Sequence, residues 1–425
     1  MTNVLDVLAF LQALVRRGAY SQAATYADAL PEAVRAVPAI ALERARARMR
    51  QGRMGDTEQA LVEADPRAGS AGERLVIALE AASLRIYRYV AIRAALDDVD
   101  AAFAAVNVTT LDPADRAEAE RVRSRILLIA GVYYEVDAET ARQACDRLPA
   151  IAQALEDAGR IDAALAAEFT YAERINDLAE RAAALAALAQ RAEQLNRPGL
   201  AGEAQISRAD LLLSNGTASD EIVACLDAAT ALFLAVDHAH GHIDVQRVKA
   251  RLAIEREFAS TELLETCLSA YNHADYPRGA LSVLMDLSQL AHQRGDTAAA
   301  ATYRRQSLTL AEEVGLGLVR DNFELAQADL LMRNSDYGAA IELCEAGAWT
   351  RTWRRRKSTA IVLATRLRIL GGAPAEQFVE KPKAGRASQQ TILSKSKLFW
   401  LERTIFVRAQ QWTISLYSYH VALFL

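Results

Sequence analysis

Hydrophobic positions recur every three to four residues along most of the chain, which is the signature of amphipathic helices. Val4, Leu5, Leu8, Leu11, Leu14 and Val15 predict a first helix over 4–17. Arg17-Gly18-Ala19-Tyr20 breaks it, because glycine takes the left-handed cap geometry without a steric penalty. A second helix runs through Ala23, Tyr26, Ala27 and Leu30, and Pro31 ends it. The clearest unit carries Leu284, Met285, Leu287, Leu290 and Ala291, then Gly295-Asp296-Thr297-Ala298-Ala299-Ala300, then Tyr303, Leu308, Leu310 and Ala311. Two amphipathic helices around a tight glycine turn are the expected local structure.

The same unit recurs with variations. A pair beginning near Pro38 is expected to turn at Gly55-Asp56-Thr57, which repeats Gly295-Asp296-Thr297, with Ala60 opposite Ala300. Residues 72–106 read as helical with a break near Tyr87 to Tyr89. Thr109 to Asp112 reads as a loop, and Asp112-Pro113 as a cap with proline at the first helical position. A helix through Val122, Ile126, Leu127 and Tyr133 follows, and the next is kinked or split at Pro149. Further breaks fall at Gly159, Asn176, Asn196 to Gly199, Asn215-Gly216, His238 to His242, Phe258 to Ser260, Asp275 to Pro277, Gly295, Gly315 and Asn334 to Asp336.

Successive breaks lie about 20 residues apart, so helix pairs repeat at about 40, the period of a helical solenoid. One antiparallel pair cannot bury both apolar faces alone. Stacking makes a continuous core in which each repeat touches only its neighbours. The units resemble tetratricopeptide (TPR) repeats, in a looser and longer form. The residues that carry the likeness are Gly18, Tyr20 and Ala23; Gly55, Asp56 and Ala60; Gly159 and Ala164; Gly295, Asp296 and Ala300; and Asp336, Tyr337 and Ala340. The family's early tryptophan is absent, with Leu284 or Val7 in its place, and its helix-crossing glycine is Ser288 or Leu11.

The resemblance implies an all-α fold: a right-handed α-solenoid of antiparallel helix pairs over 1–350, with an irregular junction near 107–158. The segment 351–380 is expected to be a terminal capping helix. Residues 381–425 read as a linker and an aromatic-rich tail. There alanine nearly vanishes while Phe399, Trp400, Phe406, Trp412, Tyr417, Tyr419 and Phe424 crowd in. That tail reads as a cap, an interaction tail, or aberrant sequence from a disrupted frame.

Composition sharpens this picture. The 425 residues are 52% hydrophobic and 24% charged, and proline (9) and glycine (20) are scarce, so a packed helical core is expected rather than disorder. A net charge of -5 argues against a nucleic-acid binder. No basic region followed by a long apolar run opens the chain, so no secretory signal is expected, and no apolar run is long enough for a membrane span. Cys145, Cys225, Cys267 and Cys344 lie far apart with no CxxC pair, which fits a reducing cytoplasm.

Candidate chemistry is sparse. Phosphate-loop, zinc-protease and nucleophile-elbow motifs are absent, and no cofactor is expected. His238, His240 and His242 within Asp237-His238-Ala239-His240-Gly241-His242 are weak candidate zinc or nickel ligands. Alternate residues do not share a helix face, so the trio converges only in a loop or strand. The alternative is a solvated connection between helices. The basic run Arg351 to Lys357 reads as a phosphate-contacting or a plain solvated face, and Asp97-Asp98-Val99-Asp100 as a solvent face or helix start.

The TPR resemblance places a ligand groove on the first helix of each pair. Its candidate partner-binding residues are Ser282, Met285, Gln289, His292 and Gln293, with Asn322, Asp329 and Arg333 in the next repeat. The implied function is a non-enzymatic scaffold that binds a peptide or partner helix on its concave face. The alternative is the ligand-sensing module of a bacterial transcription regulator or signalling system.

Overall fold

Several long helices begin on a capping side chain or a first-turn proline. The computed structural model describes residues 3–316, apart from 65–68, 90, 133–134, 217–218, 239 and 256–260. The expected breaks at 258–260 and 334–336, the residues Asn322, Asp329, Arg333, Asp336, Tyr337 and Ala340, and the segments 351–380 and 381–425 lie outside the described residues.

The described residues form eighteen α-helices and no strand. In order these are α1 (Val4–Arg16), α2 (Tyr20–Asp28), α3 (Glu32–Arg35), α4 (Pro38–Gln51), α5 (Met54–Val62), α6 (Ala71–Tyr89), α7 (Ile92–Ala104), α8 (Pro113–Val132) and α9 (Ala138–Asp146). There follow α10 (Leu148–Asp157), α11 (Ile161–Ala172), α12 (Leu178–Gln194), α13 (Pro198–Ser214), α14 (Ser219–Val236), α15 (Gly241–Glu255), α16 (Thr261–His273), α17 (Pro277–Gln293) and α18 (Thr297–Glu313). Consecutive helices pack against one another, and α13, α15 and α17 also pack in a row. The architecture is an all-α solenoid of helix pairs.

Local chemistry sets the boundaries. Asp112 accepts from the Ala114 N–H at 2.8 Å, Asp177 from Glu180 at 2.9 Å and Asp296 from Ala299 at 2.9 Å, each satisfying a donor that the first helical turn leaves open. Pro38, Pro149, Pro198 and Pro277 occupy first-turn positions, where the missing N–H removes no helical bond. Pro149 therefore splits α9 from α10 rather than kinking one helix.

A phase rule runs through six of the described turns; Gly216 and Asp237, also at positive φ, are followed five places on by Glu221 and His242 instead. Gly18, Gly52, Gly159, Asn196, Asp275 and Gly295 all have positive φ, and the residue five places on is small and buried: Ala23, Thr57, Ala164, Ala201, Ala280 and Ala300. That residue is almost fully buried in the first turn of the second helix, so a larger side chain would have to displace packed neighbours. The rule corrects one expectation. The turn between α4 and α5 is at Gly52 (φ 89°), and Gly55 lies inside α5. The partner of Ala300 is thus Thr57, whose hydroxyl donates to the Arg53 carbonyl at 2.8 Å. The repeated Gly-Asp-Thr tripeptide is out of phase with the helices.

The expectation that each repeat touches only its neighbours also fails. The α1–α2 and α4–α5 turns abut turns far along the chain. The Arg17 guanidinium donates to the Val236 carbonyl at 3.2 Å and to Asp237 at 2.9 Å. Tyr20 belongs to the same apolar cluster as Tyr271, Tyr276 and Leu287. Gln51 donates to the Asp275 carbonyl at 3.1 Å, and the Met54 N–H donates to the Val314 carbonyl at 2.9 Å. A Cβ on Gly18 would lie 2.3 Å from the His238 ring, and one on Gly52 would lie 3.0 Å from Arg278 Cβ. This seam brings the N-terminal hairpins against the later turns.

On its other side, α4 is tied to its neighbours by buried charge. Arg46 pairs with Glu43, Glu80 and Glu118, and Arg121 and Arg125 complete the cluster. Burial opposes ionisation of Glu118, but Arg121 and Arg46 outweigh it and hold the carboxyl well below the usual range.

Candidate functional site

The residues expected to line a groove fall on one stripe of α17. Ser282, Met285, Gln289 and His292 are spaced by three and four residues, so they share a face. All four are half-buried, and Gln293 is exposed. Ser282 donates to the Arg278 carbonyl at 3.3 Å, within its own helix.

Beside this stripe lies a charge network that joins three helices. Arg247 on α15 donates to Asp210 on α13 at 2.9 Å and to Asp286 on α17 at 3.2 Å. Arg251, one turn on, donates to Asp210 at 2.6 Å. Asp210, Arg247 and Asp286 are all buried. Burial penalises the Arg247 charge, yet Asp210 and Asp286 more than offset this and raise its pKa well above the ordinary value. Paired in this way, the four groups fix the spacing of α13, α15 and α17.

Asp244 occupies, in α15, the third place after the helix start, where α2, α11, α13, α17 and α18 put an alanine. It accepts from Tyr271 Oη at 2.5 Å. Burial lifts its carboxyl to about 6, outweighing the Tyr271 hydrogen bond and the charges of Arg247 and Arg278. Glu173, at the end of α11, is lifted to about 8 by burial, against the pull of Arg174, Arg181 and Arg278.

The three histidines are not a solvated connection. His238 and His240 are buried. His238 packs on Phe233, with ring centroids 4.7 Å apart, and its Nδ1 accepts the Gly241 N–H at 3.0 Å. His240 stacks on Tyr276 at 4.3 Å and faces Tyr20 at 5.4 Å. His242 meets the edge of Phe233. Burial depresses both His238 and His240, the latter to about 4, so both rings are neutral near pH 7. No group of three or more His, Cys, Asp or Glu side chains among the described residues is gathered to hold a metal ion.

Burial pushes the Cys145, Cys225 and Cys267 thiols up, the opposite of what a reactive thiolate needs. No described helix is long and apolar enough to cross a membrane.

The sequence reading missed the charge network, although a signal was there. Asp210, Arg247 and Asp286 are separated by 37 and 39 residues, which is the repeat period. Charged residues that recur with the repeat on otherwise apolar helices mark one shared position in successive units.

No family model matches the chain, and no curated protein matches it. Solved structures with similarity to the chain include the following two. One is a Rap protein complexed with Competence and Sporulation Factor, 10% identical, with 89% of this chain and 99% of that chain covered and a TM-score of 0.47. The other is a circular tandem repeat protein with novel repeat topology, 12% identical, with 97% and 90% covered and a TM-score of 0.21. Both likenesses are too distant to carry an argument, so the assignment to the helical-repeat class rests on this chain's own helix pairs, turns and period.

Proposed function

We propose that the protein is a non-enzymatic interaction scaffold that takes a peptide or partner helix along the first helices α13, α15 and α17. The observation that carries this reading is the period-matched network of Asp210, Arg247, Arg251 and Asp286, which holds three first helices in one row. A row held at fixed spacing is what recognition of an extended segment requires, because the partner's side chains must meet successive helices in register. Ser282, Met285, Gln289 and His292 supply the recognition stripe on α17, with Met285 as its adaptable apolar member. The thiols raised by burial, and the lack of any catalytic motif in the sequence, favour binding over turnover. The narrower reading, a ligand-sensing module of a bacterial regulator, uses the same face and adds an effector segment.

The test is site-specific photo-crosslinking in the full chain, from position 285 and, separately, from the exposed Leu263 on α16. A partner captured from 285 and not from 263 supports the reading. Equal capture from both positions, or robust turnover of a small substrate by the purified chain, sinks it.

A further inference from the structure

We propose that α1–α5 form a releasable clasp: two arginine-bearing turns seated on a row of acidic positions, closed in one state of the protein and open in another. The proposal stands on the seam and does not depend on the function read for α13, α15 and α17.

The charge pattern is one-directional. Across the seam Arg16 pairs with Asp162 at 3.5 Å, Arg17 with Asp237 at 2.9 Å, Arg50 with Glu203 at 3.5 Å, and Arg53 with Asp275. Each arginine comes from the N-terminal side and each carboxylate from the later part of the array. Such complementarity guides two surfaces together and sets their register.

The two sides of α1–α5 are held differently. On the inner side, Arg46 meets Glu80 and Glu118, whose side chains are only 3% and 5% exposed. At the seam the pairs are more open, from Arg50–Glu203 at 21% and 18% exposed, through Arg53–Asp275 at 33% and 38%, to Arg17–Asp237 at 52% and 89%. Pairs as open as Arg17–Asp237 are individually weak and screened by salt, whereas buried pairs resist both water and salt. The seam is therefore the side that lets go, and the Arg46 cluster is the side that stays.

One component of the closed seam favours release. His240 is 3% exposed, and neither ring nitrogen has a hydrogen-bond partner. A buried polar group without a partner forfeits its hydration, and separating Tyr20 from His240 returns it. Against this stand the ring stack, the apolar cluster around Tyr20, the Gly18 and Gly52 contacts, the Arg17 and Gln51 hydrogen bonds to the Val236 and Asp275 carbonyls, and one backbone bond, Met54 N–H to the Val314 carbonyl at 2.9 Å. A closed state that sets a buried apolar contact and mixed charge pairs against a buried ring without hydrogen-bond partners can exchange with an open one.

The Met54 amide reports the state, since its acceptor lies across the seam. Hydrogen exchange is measured at Met54 in the full chain, from about 0.05 M to about 1 M salt, where the screening length falls from over 10 Å to about 3 Å. Exchange at Met54 is expected to rise about tenfold while amides of the Leu188 and Leu212 helices keep their protection. The Arg17→Glu/Arg53→Glu chain is expected to show the same rise at low salt. Arg142→Glu, a charge reversal at an exposed pair away from the seam, is expected to leave it unchanged. Exchange at Met54 that ignores both salt and the double reversal would overturn the clasp, as would loss of protection at Met54 and in the core together. Should the double variant fail to fold, the salt series on the unaltered chain decides alone.

Discussion

Tyr276 and His240 lie face to face, with ring centroids 4.3 Å apart and planes 10° from parallel. The contact closes a stack that Tyr20 completes from the other side of the seam. The stack holds a neutral imidazole, and its stability is linked to pH. Burial depresses His240 to about 4, below the ordinary value of 6.5. Between these values the unfolded chain binds more protons, so this contribution is present above about pH 6.5 and lost as pH falls toward 4. His240→Phe keeps the stack and removes the titration. Thermal unfolding followed from pH 7 to pH 4 is expected to fall less steeply in that variant.

Asp244 titrates in the opposite sense. Its carboxyl is raised to about 6, so the protonated form is favoured in the fold, and stability is lost as pH rises from the unfolded value near 4 to about 6. Asp244→Asn keeps an acceptor for Tyr271 and removes the ionisation. The variant is expected to gain up to about 3 kcal/mol at pH 7 and little at pH 4, read by urea unfolding at both values.

Arg247 stands between two buried carboxylates. Arg247→Met leaves Asp210 and Asp286 with Arg251 as the remaining partner within the network, at 2.6 Å and 3.7 Å. A loss of about 3 kcal/mol is expected, because an uncompensated buried charge is destabilising. Adding Asp210→Asn and Asp286→Asn to that variant should recover much of it. Denaturant midpoints for the single and triple variants check the pair.

Two glycines separate backbone strain from the seam contact. Gly18 and Gly159 both have positive φ, at 64° and 74°. A Cβ at Gly159 meets nothing within 4 Å, whereas one at Gly18 falls into the His238 ring. Gly159→Ala is expected to destabilise by about 1 kcal/mol through conformation alone. Gly18→Ala is expected to exceed it by about 2 kcal/mol, through displacement of His238. Equal effects in calorimetry would show that the seam yields freely.

The helices and most turns were legible because apolar residues repeat at helical spacing and turn residues mark the ends. Pro149 and Asp112-Pro113 behave as their chemistry dictates. Ser282, Met285, Gln289 and His292 come from the TPR resemblance, and their spacing of three and four residues puts them on one face of α17 because a single helix fixes it. Gly55 misled because a repeated tripeptide was given more weight than the buried small residue that sets the helix phase. His238 and His240 looked like solvent-facing polar residues because what covers them, Tyr20 with Gly18 and Phe233 with Tyr276, is set largely by tertiary structure. The seam was illegible for the same reason: nothing local in Arg17 or Met54 names Asp237 or Val314 as its partner.

An array whose early hairpins meet its later turns has a fixed length. In an open stack, a unit can be duplicated or dropped and the rest continues as before. Here an extra pair between α6 and α12 would carry Asp237 and Asp275 one step past Arg17 and Arg53, and a lost pair would leave them one step short. Growth by whole repeats, the ordinary route by which such proteins diversify, is therefore closed to this stretch of chain. Change is confined to substitution within units and to whatever lies beyond Leu316.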